Sequence, residues 1–393
     1  MISVAIIVNN YTQTQGVNSV VDQFFVNKEQ FKKNGIEISS VYDCNSRYTD
    51  IPNRVQGRNN AKSLFKAKIK KRRVYLNRLS ESFILFSKIR KMGIKAANIF
   101  LNDTPKYDVV LAQDVFAAYK ILKKGMPIKV YFMTHMFNQE YEQLIISYPH
   151  TNGSLVQKYF LRVYEYVYKH SDQIITICEN AKRSICNRFP IVKDKIFIIY
   201  NAIQDVGIRA NPGNNDVIKF VSASSLNTRK GTDLLIDYLK IQNDVDRKNT
   251  EFHIYGHGDL YKELSDLKKD LGLDNLYMYG RVQNPVQYYR DKDVFLIVSR
   301  DECLPMGIIE AMCVGMPILA TNVGAIYEMV DNNCNGWLIA PNVDEITETI
   351  KDVIARKKDL FEKGSNSKNI YDEKFSSKRW IQNFSDVFNR VCT

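Results

Sequence analysis

Short runs of aliphatic and β-branched residues alternate along this chain with longer amphipathic stretches, the pattern of a parallel sheet whose strands are joined by helices. The runs that predict strands form two series. The first comprises Ser3–Val8, Ile36–Val41, Asp108–Ala112, Lys129–Met133, Gln173–Ile177 and Lys195–Tyr200. The second comprises Ile218–Ala223, Glu251–Tyr255, Leu276–Tyr279, Asp293–Val298 and Pro317–Ala320. Between them Gly207–Asp216 is polar and rich in turn residues, which predicts a linker between two α/β domains. In such sheets ligands bind beyond the carboxyl ends of strands, so two facing domains would set a cleft between two such edges. Chemistry is therefore expected in the loops that follow strands.

Composition narrows the class. With 393 residues, 45% hydrophobic and 25% charged, the chain is long enough for two globular domains. Its longest apolar runs, Val4–Val8 and Val294–Val298, are strand-length and far below the roughly 18 residues of a membrane span. The N-terminus shows neither a basic leader nor a small-residue cleavage site, so a cytoplasmic location is expected. Seven scattered cysteines (44, 178, 186, 303, 313, 334 and 392) form no Cys-x-x-Cys or Cys/His pair, and they read as reduced thiols with no metal site. The formal charge of +12 is local. Residues 54–95 hold fourteen Lys/Arg and one acid, Glu81, for +13, which leaves −1 for the remainder.

Two segments carry candidate chemistry. After the strand ending at Ala223 comes Ser-Ser-Leu-Asn-Thr-Arg-Lys-Gly-Thr, residues 224–232. Adjacent cations at a strand-to-helix turn, Arg229 as a planar fork and Lys230 as a point charge, suit a diphosphate, although two solvated surface cations would look the same. The second segment, Ser-Arg-Asp-Glu-Cys-Leu-Pro-Met-Gly-Ile-Ile-Glu over 299–310, follows a buried strand and enters a helix. Pro305 fits the first turn of that helix, and the free N–H groups there form a phosphate site. Glu302 lies just before the helix and Glu310 inside it. One carboxylate can address a sugar while the other accepts ribose hydrogen bonds, the alternatives being a capping acid and a surface helix residue.

Together these segments resemble the retaining glycosyltransferases of the GT-B fold, in particular glycosyltransferase family 4. The resemblance extends through Ala-Met-Cys-Val-Gly-Met-Pro-Ile-Leu-Ala-Thr-Asn-Val-Gly-Ala-Ile-Tyr-Glu at 311–328 and Asn335-Gly336-Trp337-Leu338, and covers most of residues 195–345. It implies two Rossmann-like α/β domains with parallel sheets facing a cleft. The first would span 1–203 with a basic insertion at 54–95, and the second 204–374. A C-terminal helix at 375–393 would pack back on the first.

The resemblance also implies roles. Arg229 and Lys230 fall where the family holds the nucleotide diphosphate, Glu310 where it holds the ribose, and Glu302 on the carboxylate that contacts the donor sugar. The backbone of Leu304, Pro305, Met306, Gly307 and Ile308 matches the segment cradling sugar and phosphate. Gly256 and Gly258 match a glycine-bearing turn, and Gly280-Arg281-Val282 the segment bordering the base, with Val282 as donor contact. Tyr200-Asn201-Ala202 resembles the domain crossover. Many members have Gly-Arg where this chain has Ser224-Ser225, which makes Arg229 the candidate phosphate ligand.

In the first half, Thr14-Gln15-Gly16-Val17-Asn18 matches the family's glycine loop near phosphate and acceptor, with Gly16 as donor contact and Asn18 on the acceptor side. His135 falls on the histidine that approaches the donor sugar. Asp114, which ends a strand, reads equally as an acceptor-side contact or a helix cap.

The implied reaction is sugar transfer from a nucleotide diphosphate sugar, a UDP-sugar being the commonest case, to a saccharide or lipid-linked acceptor hydroxyl with retention. It would need no cofactor and no metal. The acceptor would attack from the face the leaving phosphate departs from, with that phosphate taking its proton. Two other classes stand beside this one: a GT-B nucleotide-sugar epimerase, and a nucleic-acid-binding protein using the basic segment. Against nucleic acid, that segment has only Phe65, Tyr75, Phe83 and Phe86 for base stacking. Its interleaving of apolar residues with Lys70, Lys71, Arg72 and Arg73 is instead the composition of a helix lying in an anionic membrane interface, which would place the enzyme on the inner face of the cell membrane.

Overall fold

The computed structural model describes residues 1–11, 16–51, 78–103, 106–135 and 148–392. The chain forms two compact units, Met1–Ile199 with Ile381–Thr393, and Tyr200–Trp380. Most of the basic segment and the Thr14-Gln15 half of the glycine loop lie outside the described residues.

The first unit is built on a seven-stranded sheet of β1 (Ile2–Ile7), β2 (Ile36–Tyr42), β3 (Arg47–Tyr48), β4 (Val109–Ala112), β5 (Lys129–Thr134), β6 (Gln173–Thr176) and β7 (Ile196–Ile198), ordered β3-β2-β1-β4-β5-β6-β7. Strand β4 is buried at all four positions, as expected where helices cover both faces. The sheet is parallel except at β3, which returns antiparallel to β2. At two residues β3 is too short to leave a hydrophobic signature. Its turn is set by buried Asp43, whose carboxylate accepts the N–H groups of Tyr11, Asn45 and Ser46 at 2.8, 2.7 and 2.9 Å. The C-terminal helix Ser377–Asn389 contributes Phe384 against Phe24 and Phe388 against Tyr131, at centroid distances of 4.8 and 6.0 Å.

The second unit holds a six-stranded parallel sheet of β8 (Ile218–Ala223), β9 (Thr250–Tyr255), β10 (Leu276–Gly280), β11 (Val294–Ile297), β12 (Ile318–Thr321) and β13 (Gly336–Ile339), ordered β10-β9-β8-β11-β12-β13. Strand β13 is an addition to the sequence expectation, a four-residue run recruited by its pairing with β12. One core joins Phe220, Leu235, Phe252, Leu264 and Ile350 across sheet and helices.

Both sheets reverse direction at the same place. The first strand of each, β1 or β8, lies between its second strand and its fourth, so chain connections leave in opposite directions on either side. A crevice opens at such a switch point, beyond the carboxyl ends of β1 and β4 and of β8 and β11.

Gly207–Asp216 is no free linker. It belongs to the second unit, where Ala210 donates to the Val314 carbonyl at 2.8 Å. Buried Asp293 accepts from the Gly213 N–H at 2.7 Å, Asn215 Nδ2 at 2.9 Å and the Lys219 N–H at 2.9 Å. Burial raises this carboxyl's pKa, and the three donors oppose the rise. Among the described residues, no helix is long and apolar enough to cross a membrane.

Asp293→Ala leaves those donors without their acceptor, at a cost of about 1–3 kcal/mol for each one that stays buried. The variant is expected to melt several degrees below wild type by circular dichroism, whereas Asp216→Ala, at an exposed carboxylate of the same segment, should change little.

Candidate functional site

Four loops meet at the carboxyl edge of the second sheet because β9, β8, β11 and β12 are consecutive neighbours. After β8, Asn227 accepts from the Lys230 N–H at 3.0 Å and closes the turn Thr228–Lys230. Gly231 follows at φ +70°, and a Cβ there would stand 1.8 Å from the Val298 carbonyl oxygen. Only glycine meets both conditions, so the turn rests directly on the end of β11. Arg300 locks it from above, its N–H on the Arg229 carbonyl at 2.9 Å and its guanidinium on Asp233 at 2.6 Å.

This contact brings together residues 72 apart in sequence. The Lys230 ammonium pairs with Glu302 Oε1, which also accepts from Ser299 Oγ at 2.8 Å. Glu302 is only 6% exposed. Gly324, in the loop after β12, lies at φ +60°, and a Cβ there would stand 1.7 Å from the Glu302 carbonyl oxygen. Ser299 and Gly324 thus support Glu302, and the Ser-Arg-Asp-Glu and Thr-Asn-Val-Gly strings held that signal. Arg229 is exposed and bonds the Asp301 carbonyl at 3.0 Å, one residue from the pair.

The helix Met306–Val314 begins directly after Pro305, with no side chain capping its first N–H groups. Those donors face the carboxyl edge with the positive end of the helix dipole. Leu304 and Ile308 are buried, and Gly307 packs so closely that a Cβ would stand 2.9 Å from Phe295 Cζ. The backbone is therefore the polar surface offered here. Glu310, one turn inside, is half-buried and has no hydrogen bond or ion pair among the described residues. Burial raises its pKa from 4.5 to about 7. Gly256, after β9, lies against the Ser224 carbonyl, and half-buried Val282 follows β10.

In the first unit the candidates gather at the corresponding edge. Helix Gly16–Val26 opens at Gly16, and buried Asn18 donates to the Asn10 carbonyl at 2.9 Å, bracing the loop after β1. His135, at the end of β5, bonds Gln113 Oε1 through Nε2 at 2.9 Å. An amide oxygen only accepts, so Nε2 carries the proton and Nδ1 is an acceptor. Burial lowers its pKa to about 4, and the ring is neutral at pH 7.

Asp114 is a buried helix cap, accepting from the Phe116 and Ala117 N–H groups at 2.9 Å each. Burial raises its pKa to about 6. Gly93 presses on it so closely that a Cβ would stand 1.9 Å from Oδ1. Among the described residues no cluster of three His, Cys, Asp or Glu has metal-binding geometry.

Comparison with known proteins agrees with this architecture. The profile described as Glycosyltransferase Family 4 matches residues 29–205, and that of Glycosyl transferases group 1 matches residues 207–369. An uncharacterised glycosyltransferase of Methanocaldococcus jannaschii is 29% identical over 61% of this chain and 64% of its own. The poly(ribitol-phosphate) alpha-N-acetylglucosaminyltransferase of Staphylococcus aureus is 23% identical over 69% of this chain and 60% of its own. This chain thus spans less than two thirds of either relative. Among solved structures, Anabaena HepE in complex with UDP superposes with a TM-score of 0.66 at 17% identity over 99% of this chain and 100% of that one. Sucrose-phosphate synthase from Thermosynechococcus elongatus gives 0.69 at 15% identity over 100% and 99%. The chain belongs to the glycosyltransferases of the GT-B fold.

Glu310 yields a signed pH prediction. Its folded pKa lies above its unfolded value, so the native state holds the extra proton, and stability falls as pH rises from about 4.5 through about 7. Glu310→Gln removes this loss. The variant is expected to melt above wild type at pH 8 and level with it at pH 4.5.

Proposed function

We propose that the protein transfers a sugar from a nucleotide diphosphate sugar, a UDP-sugar in the reading we favour, to a saccharide or lipid-linked saccharide hydroxyl, with retention at the anomeric carbon. The observation that carries this reading is the clustering at one sheet edge of Arg229, Lys230, the Met306 helix N-terminus and Glu310, which has no partner among the described residues. A diphosphate would sit between the two cations and the helix N-terminus, and Glu310 would accept the ribose hydroxyls. The Anabaena neighbour holds UDP, and the staphylococcal relative is named for transfer of N-acetylglucosamine, which supports the choice of donor class.

In the proposed mechanism the leaving phosphate takes the acceptor's proton on the face from which it departs. Lys230, Arg229 and the helix dipole stabilise its charge in place of a metal. Lys230 then exchanges part of its attraction to Glu302 for the diphosphate. Glu302 orients the donor sugar, held by Ser299. Neutral His135 would offer Nδ1 to a sugar hydroxyl, and the Gly16 helix start, buttressed by Asn18, would border the donor. Asp114 would shape the acceptor side through the helix it caps.

At the described end of the basic segment Leu85 is buried in the core and Phe86 stacks on Tyr159, so there the membrane reading rests on Phe83, which is 71% exposed, and on exposed Lys88 and Lys91. We propose that this segment holds the protein peripherally on an anionic bilayer facing the cytoplasm. It is expected to pellet with phosphatidylglycerol vesicles but not neutral ones and to be released by salt; equal pelleting with both would sink the idea.

Lys230→Ala is expected to lose about 10² to 10³ in turnover. It also leaves Glu302 buried with a single partner, so a lower melting temperature is expected. Lys230→Ala with Glu302→Gln should recover stability but not turnover. A double variant that regains activity would overturn the diphosphate assignment. Proton NMR of the wild-type product should show the donor's anomeric configuration.

A further inference from the structure

The outer edge of the second sheet carries an aromatic surface whose residues are not among the candidate donor contacts. Among the described residues strand β10 is terminal in its sheet. Its Tyr277 and Tyr279 share one face, and their rings stand nearly parallel to neighbours on β9. Tyr277 stacks on His253 at 4.8 Å and 7°, and Tyr279 on Tyr255 at 4.5 Å and 11°. Tyr277 is 37% exposed and Tyr279 45% exposed. Two rings two residues apart on a strand are about 7 Å apart, which spaces a pair of flat apolar surfaces along the edge.

A hydrogen bond holds the Tyr279 ring. Glu251 can only accept, so the 3.0 Å contact from His253 places the proton on Nε2, and Nδ1 then accepts from the Tyr279 hydroxyl at 2.9 Å. Burial and Lys292 lower the His253 pKa, in keeping with a neutral ring. Lys268 donates to the Leu276 carbonyl and lies 5.6 Å from the Tyr277 centroid, which occupies an edge acceptor that an added strand would need. The edge is thus guarded against strand pairing while its tyrosines stay partly exposed.

A groove of about 580 Å³ continues from Tyr277 at the foot of β9 and β10, lined also by Arg247, Lys248, Glu251, Asp274 and Asn275. Its volume is in the range of small-ligand sites. Carboxylates and cations beside an aromatic wall match a sugar, whose hydroxyls donate and accept in the ring plane while its C–H face is apolar.

We propose that Tyr277, Tyr279 and this groove bind a saccharide chain, a carbohydrate site separate from the donor site. The choice of saccharide rests on the glycosyl-transfer reading; the site rests on the ring geometry and the charged groove beside it. Rings already ordered by stacking and hydrogen bonds lose little freedom on binding, which favours affinity from a small surface. Such a site would retain a long acceptor between transfers.

The test is calorimetric titration of the full chain with linear hexasaccharides of glucose, galactose and N-acetylglucosamine. Wild type is expected to bind at least one. Tyr277→Ala with Tyr279→Ala should weaken it at least about tenfold. Tyr277→Phe with Tyr279→Phe, which keeps the ring faces, should stay within about threefold. Nucleotide-sugar thermal shifts should be equal in all three proteins, so loss of the donor reading would show separately. Should the double alanine variant melt early, Tyr279→Ala alone carries the comparison. Absence of hexasaccharide binding by wild type, or equal binding by the alanine variant, overturns the proposal. So does loss of phosphatidylglycerol-vesicle binding in that variant with saccharide affinity intact, which would assign the tyrosines to lipid.

Discussion

A carboxylate buried at the end of a strand must be paired, and at Glu302 that requirement organises the second unit's carboxyl edge. Its partners come from two loops, Lys230 after β8 and Ser299 after β11, and its backbone is backed by Gly324 after β12. An ion pair this shielded is not by itself a large source of stability, because desolvation offsets most of the attraction. Its value is geometric. Removing either charge strands the other, so the loops have one low-energy arrangement, and a cation is held where it can meet an anionic ligand.

Close backbone approach makes the arrangement possible. Gly231 against the Val298 carbonyl and Gly324 against the Glu302 carbonyl let loops stack without side chains between them. Strand order sets which loops meet: β8 lies between β9 and β11, and the first sheet repeats this with β1 between β2 and β4. The candidates Gly16, Asn18 and Asp114 in one unit and Lys230 and Glu302 in the other accordingly gather where the connections diverge.

The ionisable candidates divide by environment. Glu310 and Asp114 are both raised by burial, but Asp114 satisfies itself with two helix N–H groups while Glu310 has no partner among the described residues. The first is a completed structural device; the second is a group whose cost is offset only by something that donates hydrogen bonds to it. His135 is lowered and neutral, oriented by Gln113, and so is suited to hydrogen bonding rather than charge. Stability and ligand binding oppose one another at Glu310, as they do where a site holds polar groups in readiness.

Local pattern was enough for the α/β class, most strands and the cation and carboxylate motifs, because short continuous β-branched runs, a basic pair before glycine and a proline at a helix start are properties of neighbouring residues. It overlooked β3 and β13, whose few residues become strands only by pairing with β2 and β12. Gly207–Asp216 has the composition of a linker, yet Asp293, about 80 residues on, lashes it down. Asp114 was ambiguous because a cap and a ligand have the same sequence signature; the Phe116 and Ala117 N–H groups and the pressure of Gly93 make it a cap. Likewise, nothing local says that Lys230 pairs with Glu302, or that Tyr277 and Tyr279 stand on a terminal strand with their rings partly exposed. Sequence carries periodicity and chemistry within a few residues. Pairings across 72 residues, burial and the unpartnered state of Glu310 exist only once the sheet has brought its loops together, because hydrogen bonds and desolvation depend on distance in space rather than along the chain.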